Sequence, residues 1–177
     1  VNDLWALGQN GNYNVRVQTP HVLDMGCTPL NESIVSSFQM IPQFQEKHGV
    51  QIVNAVFLSD GDGHSMGASG RWNTEEGEKT IIHDSKTRKD YTVDGSSSDA
   101  ETAQYLTILK DRCGCNVIGI KLLPGSRRNG QIQSLRYRYF DGNDSALEVA
   151  SKMWNKNNFV AVEGHGYDKL FIVRGNL

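Results

Sequence analysis

Cysteine and proline are scarce in this chain, three and four of 177 residues respectively. Cys27, Cys113 and Cys115 are odd in number, and the last two are separated by one residue, an awkward spacing for an unstrained disulfide. A disulfide framework is therefore not expected, and a reducing compartment fits best. A zinc site at Cys113-Gly-Cys115 would need two more soft ligands, and no second Cys or His pair has zinc-finger spacing, so the cysteines read as structural. No stretch approaches the roughly 20 apolar residues that span a bilayer. The start Val1-Asn2-Asp3-Leu4-Trp5 has neither the charged nor the apolar part of a signal peptide. The expectation is a soluble, intracellular, cytoplasmic protein without a membrane partner. Net charge is also lacking: 18 basic against 20 acidic residues leave -2, so no broad basic field supports nucleic-acid binding. What the chain does have is 38% apolar residues, enough for one good core and thin for two. Residues 1–177 are expected to form a single domain.

The apolar residues are patterned. Tyr13 to Gln18 alternates like a short strand, stopped by Thr19-Pro20. Leu30, Ile34, Val35, Phe38 and Ile41 mark one helix face, with Pro29 at the first helical position, Thr28 as a side-chain cap and Pro42 as an interruption. Val50 to Leu58 is a mostly apolar run of strand length, as expected of a strand covered on both faces. Ser59 to Gly70, dense in Gly, Asp and Ser, is a loop. Lys79 to His83 and Lys89 to Val93 suggest a solvent-facing hairpin, taken as an insertion at 71–95. Asp99 to Cys113 reads as a helix closed by Gly114, and Asn116 to Leu123 as a second buried strand. Arg127, Arg128, Arg136 and Arg138 with Tyr137, Tyr139 and Phe140 have a composition that suits RNA or phosphate contacts, but read more simply as a surface loop and edge strand. Ala146 to Trp154 is a further helix, and Phe159 to Val162 with Leu170 to Val173 terminal strand material. This rhythm predicts an α/β fold with an open, mostly parallel, doubly wound sheet.

In such sheets ligands bind beyond the carboxyl ends of the strands. The loop after the most apolar strand is Ser59-Asp60-Gly61-Asp62-Gly63-His64-Ser65, and a second polar group arrives from Cys27-Thr28-Pro29 at a helix start. A carboxylate and a hydroxyl are the hard oxygen donors that Mg²⁺ prefers. Asp62 and His64 also suit a turn, and imidazole favours transition metals. Ser59 and Ser65 read as hydrogen-bonding residues of the loop.

Gly26-Cys27-Thr28-Pro29-Leu30-Asn31-Glu32-Ser33 and Val56-Phe57-Leu58-Ser59-Asp60-Gly61 resemble the second and third motifs of von Willebrand factor A domains. The resemblance spans roughly residues 10 to 165, loosely beyond Asp60. It implies a Rossmann-like sheet and a metal ion-dependent adhesion site holding Mg²⁺ or Mn²⁺. Thr28 and Asp60 would be the ligands, with Ser59, Asp62, His64 and Ser65 near them. It also implies a partner protein that completes the coordination with a carboxylate. Intracellular members suggest an AAA+ ATPase as partner, and phage-type, virion-associated relatives are a further context. That family's first motif, Asp-x-Ser-x-Ser, is not found between Val1 and Thr28, so a truncated member lacking the usual first strand and helix is expected. Asp94-Gly-Ser96-Ser-Ser98 matches the pattern in a permuted position, although the preceding Arg88 to Val93 is too polar for a central strand, and a helix cap is the simpler reading.

Nothing in this set requires bond-breaking machinery, so a binding module is favoured over an enzyme. The alternative is a Mg²⁺-dependent phosphatase or phosphotransferase like the haloacid dehalogenases. Asp60 would be its nucleophile and Asp62 its general acid, with Lys121 and Asp141 as the further Lys and acid.

Overall fold

A computed structural model describes residues 28–66, 80–93, 98–124, 132–133 and 135–175. Helix α1 (Leu30–His48) buries Ile34 and Phe38, with Leu30, Val35 and Ile41 half-buried beside them, and ends at Gly49 in a left-handed conformation. The sequence predicts an interruption at Pro42, yet the helix runs through it. A proline inside a helix costs one hydrogen bond and some strain, about 3 kcal/mol. Here both halves are held from outside, the first by Ile34 and Phe38 in the core. The second is held by Gln45, whose Nε2 donates to the Cys113 carbonyl at 3.1 Å.

Strand β1 (Asn54–Ser59) leads to the acidic loop. Beyond it a two-stranded antiparallel ribbon forms from β2 (Thr80–Asp84) and β3 (Lys89–Val93). This hairpin is not simply solvent-facing: Asp84, Tyr91 and Val93 are buried, because helix α2 (Ser98–Cys113) lies against it. Asp84 accepts from Arg112 Nε at 3.0 Å and also from Arg112 Nη2, while Tyr91 Oη donates to Asp111 at 2.8 Å.

Strand β4 (Asn116–Pro124) follows α2. Where an edge strand is predicted, Arg136–Tyr139 instead forms one helical turn, α3, and Asp141 and Gly142 then turn the chain with φ of 49° and 73°. Tyr139 and Phe140 do pack inward. Helix α4 (Asp144–Asn157) is capped by Asn143, whose side chain accepts from the Ala146 amide at 3.1 Å. Strands β5 (Phe159–Gly164) and β6 (Tyr167–Gly175) complete the described chain.

The main sheet has the order β1-β4-β6-β5, with β1, β4 and β6 parallel and β5 antiparallel to β6. The fold is thus α/β with a mixed, mostly parallel sheet, compatible with a Rossmann-like arrangement. Ala55, Phe57, Val117, Val160, Val162, Leu170 and Ile172 share one face by strand alternation and register. Both core clusters use that face, one with α1 and α2, the other with α4 through Leu147, Ala150 and Trp154. On the opposite face Val56 and Leu58 are 55% and 64% exposed, so a second helix layer is not among the described residues. The strand expected at 13–18, and Asp94 and Ser96 of the permuted motif, lie outside the described residues. Ser98 opens α2. No helix among the described residues is long and apolar enough to cross a membrane.

The Arg112–Asp84 pair anchors the ribbon, and hydrogen bonds from Arg112 hold the Asp84 carboxyl far below its ordinary range. A carboxyl depressed on folding contributes stability above its unfolded pKa, near 3.9, and loses that contribution as pH falls toward the folded value. Asp84→Ala is expected to lose about 2–4 kcal/mol at neutral pH in urea unfolding. Between about pH 4 and pH 2 its stability falls less steeply than that of the wild type.

Candidate functional site

The loop after β1 contains few residues able to hold a conformation by themselves, so its shape comes from its neighbours. Ser59 begins this: its hydroxyl donates to the Gly61 carbonyl at 2.6 Å and accepts from the Gly61 amide at 3.2 Å, closing a tight local turn. Further on, Asn31 of α1 is fully buried and donates through Nδ2 to the His64 carbonyl at 2.9 Å. Its Oδ1 accepts from the Thr102 hydroxyl of α2 at 2.6 Å. Glu101, also fully buried, accepts from the Met66 amide at 2.8 Å and from Tyr105 Oη at 2.9 Å. Burial pushes the Tyr105 hydroxyl up, and its bond to Glu101 adds to the shift. The N-terminal turns of α1 and α2 thus fix the loop from both sides.

Beside this clamp Thr28 lies against Gly61. A methyl group built on Gly61 would overlap Thr28 Oγ1, so the hydroxyl rests against the backbone immediately after Asp60, a place only glycine leaves open. The cap expected of Thr28 is not made: the cap position of α1 is Pro29, and no side chain bonds there. Thr28 is half-buried and Asp60 exposed. No described residue makes an ion pair or hydrogen bond with the Asp60 carboxylate.

The other candidates are placed differently. Asp62 faces away into a cavity and pairs with Lys121 of β4 and with Arg138 of α3, the latter at 2.6 Å. Arg138 also pairs with Asp99 at the start of α2, and Lys121 donates to Tyr139 Oη at 3.2 Å. Burial pushes the Asp62 carboxyl up, but the bonds and charges of Lys121 and Arg138 outweigh it and the net shift is downward. His64 does not join Asp60: its Nε2 lies 3.4 Å from Glu32 Oε1. Ser65 is exposed. Asp141 sits in the turn after α3 and does not line the cavity of Asp62. Among the described residues no group of three or more His, Cys, Asp or Glu gathers as metal ligands.

Behind the loop, over the sheet, lies a small cavity of about 40 Å³. Besides Asp62, Asp99 and Lys121 it is lined by Tyr139, from the Arg/Tyr-rich stretch, and by His165 and Tyr167, which sequence reasoning does not single out. His165 lies between Gly164 and Gly166, and all three have positive φ, 92°, 56° and 82°. The Gly-His-Gly triplet is the one signal that marks it. Burial pushes the His165 imidazole down and the Tyr167 hydroxyl up, the latter to about 12, so both are neutral near pH 7.

No protein-family model, curated protein or solved structure matches the chain.

Asn31 joins the loop to both helices, from its own place on α1 to Thr102 of α2. Removing it takes one hydrogen bond from the part-buried His64 carbonyl and one from the buried Thr102 hydroxyl, at about 1–3 kcal/mol. Asn31→Ala should show that loss in chemical denaturation, together with faster amide hydrogen exchange at residues 61–66 than elsewhere in the sheet.

Proposed function

We propose that the rim formed by Thr28 and Asp60 is a cation-assisted protein-binding site of the von Willebrand factor A kind. The observation that supports this reading is the contact of the Thr28 hydroxyl with Gly61, the residue next to Asp60. The chemistry of Thr28 and Asp60 fits a hard dication such as Mg²⁺ or Mn²⁺: one hydroxyl and one carboxylate, neither spent on an ion pair with a described residue. Bound there, the cation supplies a Lewis-acidic position that a carboxylate from a partner protein completes. Thr28 and Asp60 fill two positions of six, so water or oxygens from outside this pair supply the others. The chain's own part is orientation: Ser59 sets the turn, Gly61 admits the hydroxyl, and Asn31 and Glu101 keep the loop from collapsing. An AAA+ ATPase is the partner class that the intracellular members of the family suggest.

Lys121 beside Asp62, two residues after Asp60, favours a second reading, phosphotransfer. It fits less well, because a general acid must carry a proton at working pH and Lys121 and Arg138 hold Asp62 ionised.

Calorimetric titration of Mg²⁺ or Mn²⁺ tests the rim, and phosphatase turnover separates the two readings. Binding to the wild type, weakened at least about tenfold in Asp60→Ala and in Thr28→Val, is expected, a loss of about 1.4 kcal/mol or more. Equal heats for the three proteins remove the proposal. Hydrolysis of p-nitrophenyl phosphate that disappears in Asp60→Asn would put the second reading first.

A further inference from the structure

Among the described residues β1 pairs with β4 alone, so the N–H and C=O groups along its outer edge have no strand beside them. The side chains mark the same edge. Val117 of β4 is fully buried, whereas Ala55 and Phe57 on the same face of β1 are only half-buried, as are Leu30, Val35 and Ile41 of α1 packed with them. On the other face Val56 and Leu58 are exposed, although the run from Val50 to Leu58 has the apolar character of a covered strand. A groove of about 310 Å³ lies between Pro29, Leu30 and Ser33 at the start of α1 and Val56 to Ser59 of β1. It touches both faces of β1 and no residue of β4, which puts it at the outer edge of the sheet.

We propose that residues 13–18 of this chain occupy this edge, adding to β1 as a parallel strand. The segment reads Tyr-Asn-Val-Arg-Val-Gln, six residues against the six of β1, and precedes Thr28, which itself lines the groove. Direction follows from Thr28: it lies against Gly61, just past the carboxyl end of β1, so the chain enters α1 at that end. A strand leading there through residues 19–27 runs parallel to β1.

The hand of the crossover selects the edge. Helices α1 and α2 pack on one face of the sheet, and the connection β1-α2-β4 crosses that face inward from β1. A strand outside β1, followed by α1 and then β1, crosses the same face in the same sense and has the same hand. Placed beyond β5 it would have the opposite hand, and parallel crossovers share one hand almost without exception. Alternation sets the faces: Tyr13, Val15 and Val17 join the half-buried residues under α1, and Asn14, Arg16 and Gln18 go to the face that is open among the described residues. A segment tethered at Thr28 also has a high effective concentration at the groove, whereas a second copy or another protein loses translational freedom on binding.

Nuclear Overhauser contacts in the full chain test this, in a sample mixing isotope-labelled with unlabelled molecules. Amide and Hα contacts between residues 13–18 and 54–59, in parallel register and within one molecule, are expected. Successive amides of a strand point to opposite sides, so at least one of Val15→Pro and Arg16→Pro removes an amide that bonds β1. That variant should lose the contacts and exchange the amides of residues 54–59 at least about tenfold faster, with α4 and β5 still protected. The wild-type contacts decide the matter even where a variant fails to fold. Absent contacts, an antiparallel pattern, contacts only between labelled and unlabelled molecules, which would put a second copy on the edge, or unchanged exchange in both variants would each overturn the proposal.

Discussion

Everything at the carboxyl edge of this sheet depends on a few buried hydrogen bonds that the first turns of α1 and α2 make to one loop. Asn31 and Glu101 have no exposure to water, and each bonds a main-chain group of the loop. Buried polar groups cost little when fully paired and much when half-paired, so such a clamp is cooperative. The loop between Ser59 and Met66 has no secondary structure to satisfy its backbone, and the helices supply partners instead. The Gly61 position against Thr28 and the Asp62 position against Lys121 are both consequences of that clamp.

A second constraint is charge matching. Asp62, Asp99, Lys121 and Arg138 come from the loop, α2, β4 and α3, so each pair ties together elements distant in sequence. Lys121 is only 12% exposed, so removing Asp62 would leave its charge poorly solvated, whereas the other three reach solvent. Such a cluster contributes position more than stability. It places Tyr139 above Lys121, and Tyr139 in turn sets the orientation of His165.

How much of this was legible in the sequence follows from where each cause lies. Helix α2, strand β4 and the ribbon were readable because their signals are local: an apolar period, a closing glycine, two runs either side of a polar turn. The passage of α1 through Pro42 was not, since the compensating contacts come from Cys113 and the core. The edge strand expected after Gly125 gave way, where the chain is described, to a helical turn that Leu135 and Phe140 tie into the second core. At the site, the motif resemblance pairs Thr28 with Asp60, and the structure places the Thr28 hydroxyl beside Gly61, the residue after Asp60. The cap assigned to Thr28 was a local inference, and the hydroxyl is instead drawn to Gly61. The cavity was invisible because Asp99, Lys121 and Asp62 lie far along the chain from His165 and Tyr167. Only the topology β1-β4-β6, with α2 above it, brings them together.

Two carboxylates separated by one glycine therefore have different chemistry available to them. To serve a cation, Asp62 would have to give up bonds from Lys121 and Arg138, each worth about 1.5–3 kcal/mol when one partner is charged. It would also leave Lys121, only 12% exposed, without its counter-ion. Asp60 has no such debt: it is exposed, with no described partner to abandon. The difference lies in partners, because both carboxylates reach solvent but only Asp62 meets Lys121 and Arg138. Of the two acids in the loop, then, Asp60 is the one suited to a labile ligand from outside, and Asp62 the one suited to hold the wall of a cavity.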